Sequence, residues 1–352
     1  MKKDLNEKIF FASDYMEGAH PQIMQRLIDT NLVKTPGYGT DSYCESARNK
    51  IRTACSCPDA DVFFLAGGTQ TNATVIDAVL RSYQGVIAAQ TGHIQGHEAG
   101  AIEAGGHKVL TLSQQFGKIS ANQIAAFMSD YENDANHEHT VMPGMVYLSQ
   151  PTEYGTLYSL AELKEIREVC SKYSLSLYVD GARLAYALSC PENDVTLQDL
   201  AALTDAFYIG GTKCGTLFGE AVVIPKHDYI PHFFTTVKQH GALLAKGRLL
   251  GIQFDTLFTD DLYLHIGAPA IDAAEQIRFV LRECGYTLYF EAPTNQIFVV
   301  MENDRLRSFG QQVEYGFWEK YDDTHTVIRL ATSWATTGED TDALIRILRS
   351  CS

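Results

Sequence analysis

The strongest constraint in this sequence is a repeated local pattern: a short apolar, β-branched run, a turn signal, then helical spacing. VFFLAGG (62–68) leads into TNATVIDAVLRSY, whose residues 72, 75, 76, 79, 80 and 83 mark one helical stripe. GVIAAQ (85–90) precedes HEAGAIEAGG, and KVLTL (108–112) precedes ANQIAAFMSDY. GMVYLSQ (144–150) is followed by SLAELKEIREVCSKY, the clearest amphipathic helix in the chain. LSLYVD (175–180), AFYIGG (206–211) and AVVIP (221–225) complete the series. Strands that are apolar on both sides and alternate with helices imply an α/β fold with a mostly parallel sheet covered on both faces. Residues 212–220 are too few for a helical crossover, so the last two strands are expected to run antiparallel.

After about residue 255 the rhythm changes. A helix (APAIDAAEQIRFVLRECG) leads to YTLYF (286–290), PTNQIFVVM, HTVIRLATSW and a last helix, EDTDALIRILRS, which reads as a smaller α+β unit. A length of 352 residues also suits two domains. The boundaries expected are 41–254 for the large domain and 255–352 for the small one. The polar segment 133–144, with its histidines, reads as a solvated connection and not as a metal site; no metal site is expected.

Composition narrows the functional classes. Lys and Arg number 28 against 43 Asp and Glu, a formal charge of −15, which argues against nucleic acid or an anionic membrane surface as the partner. No run of ~18 apolar residues is present, and MKKDLNEKIFFASDYMEG lacks the apolar stretch of a signal peptide. The eight cysteines are scattered, with only Cys55 and Cys57 close together. Reduced thiols in a cytoplasmic protein are the expectation.

Three strand ends carry the chemistry, and open α/β sheets place ligand sites at the carboxyl ends of their strands. In FLAGGTQTN, Gly67 and Gly68 permit a tight turn, and Thr69 and Gln70 fall at a helix start whose free N–H groups suit a phosphate; a turn without a ligand would look the same. In YVDGAR, Asp180 ends an apolar strand, where a carboxylate is costly unless a cation or donor meets it. An internal Asp180–Arg183 salt bridge is the alternative reading there. In YIGGTKCG, Lys213 follows two glycines; a desolvated lysine has a lowered pKa and can form a Schiff base with a carbonyl. The alternative is a lysine whose stem packs while its head reaches water.

In their order and spacing, GGTQTN, DGAR and TK resemble the low-specificity threonine aldolase and β-eliminating lyase group of fold-type-I, aspartate aminotransferase-like enzymes, which use pyridoxal 5′-phosphate. The likeness runs from FFASDYMEGAHP to HTVIRLATSW. It implies Lys213 as the cofactor-linking lysine, Asp180 as partner of the pyridine nitrogen, and Gly68 and Thr69 as phosphate ligands. In QTGHIQGHEAG it implies His93 stacked on the cofactor ring, with Glu98 five residues on; His97 reads as an ordinary surface or supporting residue. For the amino-acid carboxylate it implies Ser13, Arg183 and Arg329, which would put the site between the two domains. It also implies that Tyr38, in TPGYGTDSY, reaches the site of a partner subunit in a homodimer or homotetramer. Residues 1–40 would then join the small domain and the partner. Lys246 or Arg248 lies where the family often has a phosphate-binding arginine.

One departure bears on the reaction. Threonine aldolases commonly carry Glu-Asn-Thr-His after the strand that here ends in YLSQ, whereas this chain has QPTEYG, with Glu153 at the histidine position. A buried glutamate can take a proton if its pKa rises. The leading expectation is cleavage of a β-hydroxy-α-amino acid, L-threonine or L-allo-threonine, to glycine and an aldehyde. β-Elimination or racemisation of another amino acid, with Lys213 as the base, is the alternative. A cofactor-binding protein without turnover is disfavoured, since Lys213, Asp180, Arg183 and Arg329 are all present. A plain NAD-binding sheet would want an early G-x-G-x-x-G, and none is there.

Overall fold

A computed structural model describes residues 8–351. The seven apolar runs form one seven-stranded sheet. Its order across the sheet is Asp61–Leu65, Glu220–Ile224, Ala206–Gly210, Ser176–Asp180, Met142–Ser149, Gln84–Ala89 and Val109–Leu112. Glu220–Ile224 is antiparallel to both neighbours, as the short link before it requires, and the remaining pairs are parallel. Every residue of Ala206–Gly210 and Glu220–Ile224 is buried, which accounts for their lack of apolar/polar alternation.

Successive side chains of a strand point to opposite faces, so each strand feeds two cores. Val146, Leu148, Leu177, Val179, Phe207 and Ile209 pack on one face. Met145, Tyr147, Tyr178, Ala206 and Tyr208 pack on the other. Asp180 shares the parity of Tyr178, so a strand-end carboxylate falls on the face that carries three neighbouring phenols. The helix Leu160–Lys172 begins with a reciprocal cap, Ser159 and Glu162 each bonding the other's backbone N–H. The HEAGAIEAGG segment is not one helix. Only Ala101–Ala104 of it is helical; a separate short helix, His93–Gly96, precedes it, and Ala99 and Gly100 take positive φ of 52° and 72° between the two.

The second sheet is antiparallel, in the order Gly316–Lys320, His325–Ala331, Gln296–Glu302, Thr287–Leu288. The helices Ala268–Glu283 and Gly338–Ser350 pack on it, with Leu281, Leu344 and Leu348 against Ile297, Val299, Ile328 and Leu330. YTLYF contributes only Thr287–Leu288 as strand. Two elements carry too little periodicity to read from sequence: the strand Gly316–Lys320, and a two-residue strand, Ile9–Phe10, paired in parallel with Val313–Glu314. Phe11 continues the latter pairing, and its carbonyl accepts the N–H of Ala331. The N-terminal segment is thereby tied to the smaller sheet just before Ser13, Asp14 and Tyr15. Among the described residues, no helix is long and apolar enough to cross a membrane.

Candidate active site

A cavity of about 300 Å³ opens at the carboxyl ends of the large sheet's parallel strands, lined in part by Thr69, His93, Glu153, Asp180, Arg183 and Lys213. Six residues singled out in the sequence thus meet in one place. Asp180 is 3% exposed and fully hydrogen-bonded. Its Oδ2 accepts from Tyr147 Oη (2.7 Å) and Asn72 Nδ2 (3.0 Å), and its Oδ1 accepts from the Ala182 N–H (2.9 Å). Burial alone would raise its pKa, but His93 and the bonds from Tyr208, Tyr147 and Asn72 outweigh it and hold the carboxylate ionised. The alternative Asp180–Arg183 bridge does not form.

Asn72 extends this network to the histidine. Its Nδ2 also donates to Glu98 Oε1 (2.7 Å), which lies 2.7 Å from His93 Nδ1, and Tyr178 Oη donates to Asn72 Oδ1 (2.8 Å). A ring nitrogen fixed by a buried carboxylate sets the imidazole's orientation, which suits a ring-stacking residue. His97 is exposed and lies beside His93, with ring centroids 5.7 Å apart.

Glu153 lines the cavity on the Asp180 side, four residues past the end of Met142–Ser149. Its Oε1 accepts from Ser149 Oγ (2.7 Å) and from the His93 backbone N–H (2.9 Å). Burial raises its pKa despite these bonds, and the nearby Asp180 raises it further. Lys213 follows the Gly210–Gly211 turn, and Tyr186 Oη donates to its carbonyl (2.6 Å). Burial and the Arg183 charge lower the pKa of its amine, against the pull of Asp14, Asp180 and Glu220. A lysine so placed is a nucleophile at neutral pH more readily than a surface lysine.

Both arginines are held by partners that the sequence does not reveal. The fork of Arg183 is already engaged: Nε and Nη2 donate to Asp14 at 2.6 and 3.0 Å. Asp14 is fully buried and also accepts from Asn295 Nδ2 (2.9 Å). Arg183 therefore keeps only its remaining N–H groups for the cavity. Arg329 donates to Gln296 Oε1 (3.2 Å) and to the Ala12 carbonyl (2.9 Å). Ser13 is buried beside Asp14 but is not in the cavity wall. Tyr38 is 44% exposed, away from this wall, with Lys238 Nζ 4.7 Å from its ring centroid. Lys246 is exposed, and Arg248 is used structurally, donating to the carbonyls of Thr30 and Val33.

Sequence reasoning passed over Ser149, Tyr208 and Glu220, which line the cavity, and Asp14, Asn72 and Tyr147, which bond residues that line it. Same-face parity with Asp180 could have flagged the tyrosines. A lone carboxylate opening the apolar run EAVVI could have flagged Glu220.

The cavity suits pyridoxal phosphate on three observations. Helix Gly68–Val79 starts behind Gly67, whose lack of a side chain leaves the first-turn N–H groups uncapped. A Cβ on Gly68 would approach Tyr208 Oη to 3.2 Å, so the glycine keeps that floor open. The ionised Asp180 and the amine of Lys213 face the same space, as a pyridinium and an aldehyde require.

The sequence profile of the β-eliminating lyases matches residues 11–304. A low-specificity L-threonine aldolase of Pseudomonas aeruginosa is 30% identical over 304 residues, spanning 85% of this chain and 86% of its own length. A Leishmania major threonine aldolase structure superposes with a TM-score of 0.94 at 42% identity, covering 98% of this chain and 100% of that one. A mouse protein, CSAD, shares the fold at 14% identity with a TM-score of 0.72, covering 97% of this chain and 83% of its own. The chain belongs to the β-eliminating lyase family.

Proposed function

We propose that the protein is a pyridoxal-phosphate-dependent lyase that cleaves a β-hydroxy-α-amino acid, L-threonine or L-allo-threonine, to glycine and an aldehyde. The observation that carries this reading is the convergence of Lys213, Asp180, Thr69, His93, Glu153 and Arg183 on one cavity, in a chain similar to threonine aldolases.

Bound there, pyridoxal phosphate supplies a carbonyl for an amine and an electron-withdrawing ring. Lys213 would provide the amine that holds it. Asp180 keeps the ring nitrogen protonated: a unit-charge pair at ~4 Å contributes about 4 kcal/mol at an effective dielectric near 20, roughly three pKa units. Gly68 and Thr69 would offer backbone donors to the phosphate, and His93, fixed by Glu98, would help to hold the ring. Arg183 and Arg329, with Ser13, provide the positive edge for the amino-acid carboxylate. Glu153 receives or orients the proton of the β-hydroxyl, a role its raised pKa suits.

The protein is further read as cytoplasmic and as a homodimer or homotetramer in which Tyr38 serves a neighbouring subunit's site. Ile28, Leu32, Val33 and Tyr38 are all exposed on the N-terminal side, which is consistent with burial against a second copy. β-Elimination or racemisation is the second reading, favoured by the glutamate at position 153 and by a half-buried lysine able to act as a base at Cα. Product analysis of the purified protein with L-threonine, L-allo-threonine, L-serine and L-alanine separates these readings. Glycine with acetaldehyde supports the proposal; pyruvate or a D-amino acid without aldehyde ends the aldolase reading and keeps the cofactor one.

A further inference from the structure

Gln296 ties together two groups of the proposed site that stand on different parts of the chain. It opens the strand Gln296–Glu302 of the second sheet, is 0% exposed, and lies two residues before Phe298, the cross-strand partner of Arg329. Side chains at 296, 298 and 329 therefore share one face of that sheet. Gln296 Oε1 accepts from Arg329 Nη1 (3.2 Å), and its Nε2 donates to the backbone carbonyl of Glu153 (3.3 Å). A guanidinium only donates and a carbonyl only accepts, so one orientation of the amide serves both partners. A single buried side chain thus meets the arginine proposed for the substrate carboxylate and the backbone of the acid proposed for the β-hydroxyl.

The turn that carries Glu153 is fixed from two directions. Its carboxylate bonds Ser149 Oγ, at the end of a large-sheet strand, and the backbone N–H of His93. Its backbone is seated on the second sheet. Thr294 Oγ1 donates to the Gly155 carbonyl (2.8 Å). A Cβ on Gly155 would lie 2.6 Å from Thr294 Oγ1 and 3.4 Å from Gln296 Cβ, so the close approach needs a residue without a side chain. Tyr154, 6% exposed, packs its ring against Phe290, Phe298 and Trp318, with centroids 5.3, 5.8 and 5.1 Å away. Tyr154 and Thr294 fasten the turn as a whole, and of these contacts the one through Gln296 also reaches Arg329.

We propose that Gln296 is a positioning residue for Glu153, its amide setting the backbone of the acid against Arg329. The proposal rests on the aldolase reading, in which Glu153 handles the β-hydroxyl proton. A substrate held by its carboxylate and deprotonated at its β-hydroxyl must meet both groups in one geometry. An error of about 1 Å in such a geometry costs up to ~10²-fold in rate. The amide spans the two groups directly, so a shift of either is felt by the other.

The test is Gln296→Met in the full-length, cofactor-loaded protein, a change that keeps length and burial and removes both bonds. The kcat for threonine cleavage is expected to fall about tenfold and KM to rise about threefold. Exchange of the glycine α-proton, at saturating glycine, should stay within about twofold, because it needs no hydroxyl chemistry. The decisive measurement places the same substitution in Glu153→Gln. If Gln296 acts through Glu153, the kcat loss disappears in that background and only the KM rise, which belongs to Arg329, remains. Equal kcat losses in the two backgrounds overturn the proposal, as does an equal loss of cleavage and α-proton exchange, since a mere brace for the fold would give either. Should Gln296→Met fail to fold, Gln296→Asn, too short to reach both partners, undergoes the same two comparisons. Failure of the aldolase reading looks different. No aldehyde from threonine with the unmodified protein, or cleavage at the parent rate in Glu153→Gln, removes the role of Glu153 and the proposal with it. Cleavage slowed in Glu153→Gln but with additive losses removes only the role of Gln296.

Discussion

On the Asp180 side of the cavity the bonds join strand ends and short turns. Ser149 reaches Glu153 four residues on, His93 reaches Glu98 five residues on, and Tyr147 reaches Asp180 across adjacent strands. On the Arg183 side the partners come from distant parts of the chain. Asp14 meets Arg183 across 169 residues, Asn295 meets Asp14 across 281, and Arg329 meets the Ala12 carbonyl across 317. The first wall is a property of one sheet, preorganised by strand parity. The second exists only when the N-terminal segment, the large sheet and the small sheet are assembled together. Chemistry at the ring should therefore depend on the first wall, and both substrate grip and structural integrity on the second.

The largest expected effect tests the first wall. Asp180→Asn removes the charge that would hold the ring nitrogen protonated, and roughly three pKa units of support correspond to a loss of ~10³ in turnover. The variant should keep its fold, because the amide oxygen can still accept from Tyr147 and Asn72, with only the Ala182 N–H bond lost. Turnover within a few-fold of the unmodified protein would show that the ring nitrogen is held elsewhere.

The next effect belongs to the second wall and should appear as stability. Burial would raise Asp14, but the charges of Arg183 and Lys213 and the bonds from Arg183 and Asn295 bring it down to about 2 from 3.8. A depressed carboxylate stabilises the fold above its unfolded pKa, and that contribution is lost as pH falls through the folded one. Asp14→Asn, which leaves the Arg183 charge buried without its counter-ion, should cost about 3 kcal/mol at neutral pH. The gap between variant and parent should close between about pH 4 and pH 2 in denaturant titrations. A gap that persists unchanged at pH 2 would mean that the pair is not its source.

Glu153 returns the comparison to the first wall with a smaller effect. Glu153→Gln should slow threonine cleavage by ~10² and leave exchange of the glycine α-proton largely intact, since that exchange needs no hydroxyl chemistry. Because burial raises Glu153, its basic form should dominate only above the ordinary carboxylate range. The acid limb of the cleavage profile should sit correspondingly high in the parent and be absent in the variant. Equal loss of both reactions would assign Glu153 to cofactor binding or structure.

The contrast between the walls also explains what could be read from the sequence. All seven strands of the large sheet were legible because each is an apolar run bounded by turn residues, and the reversed strand followed from the brevity of residues 212–220. Lys213, Asp180 and Thr69 were legible because polar residues at the ends of apolar strands are conspicuous. Ile9–Phe10 was not, since a two-residue strand has no period, and its pairing with Val313–Glu314 is a tertiary fact. The engagement of Arg183 by Asp14 was hidden for the same reason. FASD shows an aspartate, but nothing local says which arginine it meets. Tyr147 and Tyr208 look like core aromatics in sequence, and only the register that aligns their strands with Asp180 turns their phenols toward it.

The smallest effect asks how much of the second wall faces substrate at all. Arg329 is bonded to Gln296 and the Ala12 carbonyl, while Arg183 lines the cavity with part of its fork committed to Asp14. Neither guanidinium is a free two-pronged clamp. A lysine at 329 keeps the positive charge and can still reach one acceptor, so its cost should be one lost hydrogen bond's worth of alignment, about tenfold in KM with kcat little changed. Arg183→Lys should add to the same rise in KM a loss of thermal stability, because Asp14 then keeps only one of its two arginine bonds. The two readouts separate a grip on substrate from a brace for the wall. If Arg329→Lys lowers stability and leaves KM alone, Arg329 braces the N-terminal segment and the carboxylate is met by Arg183 alone. If it raises KM alone, the small sheet reaches the substrate and the cavity is completed from both sheets.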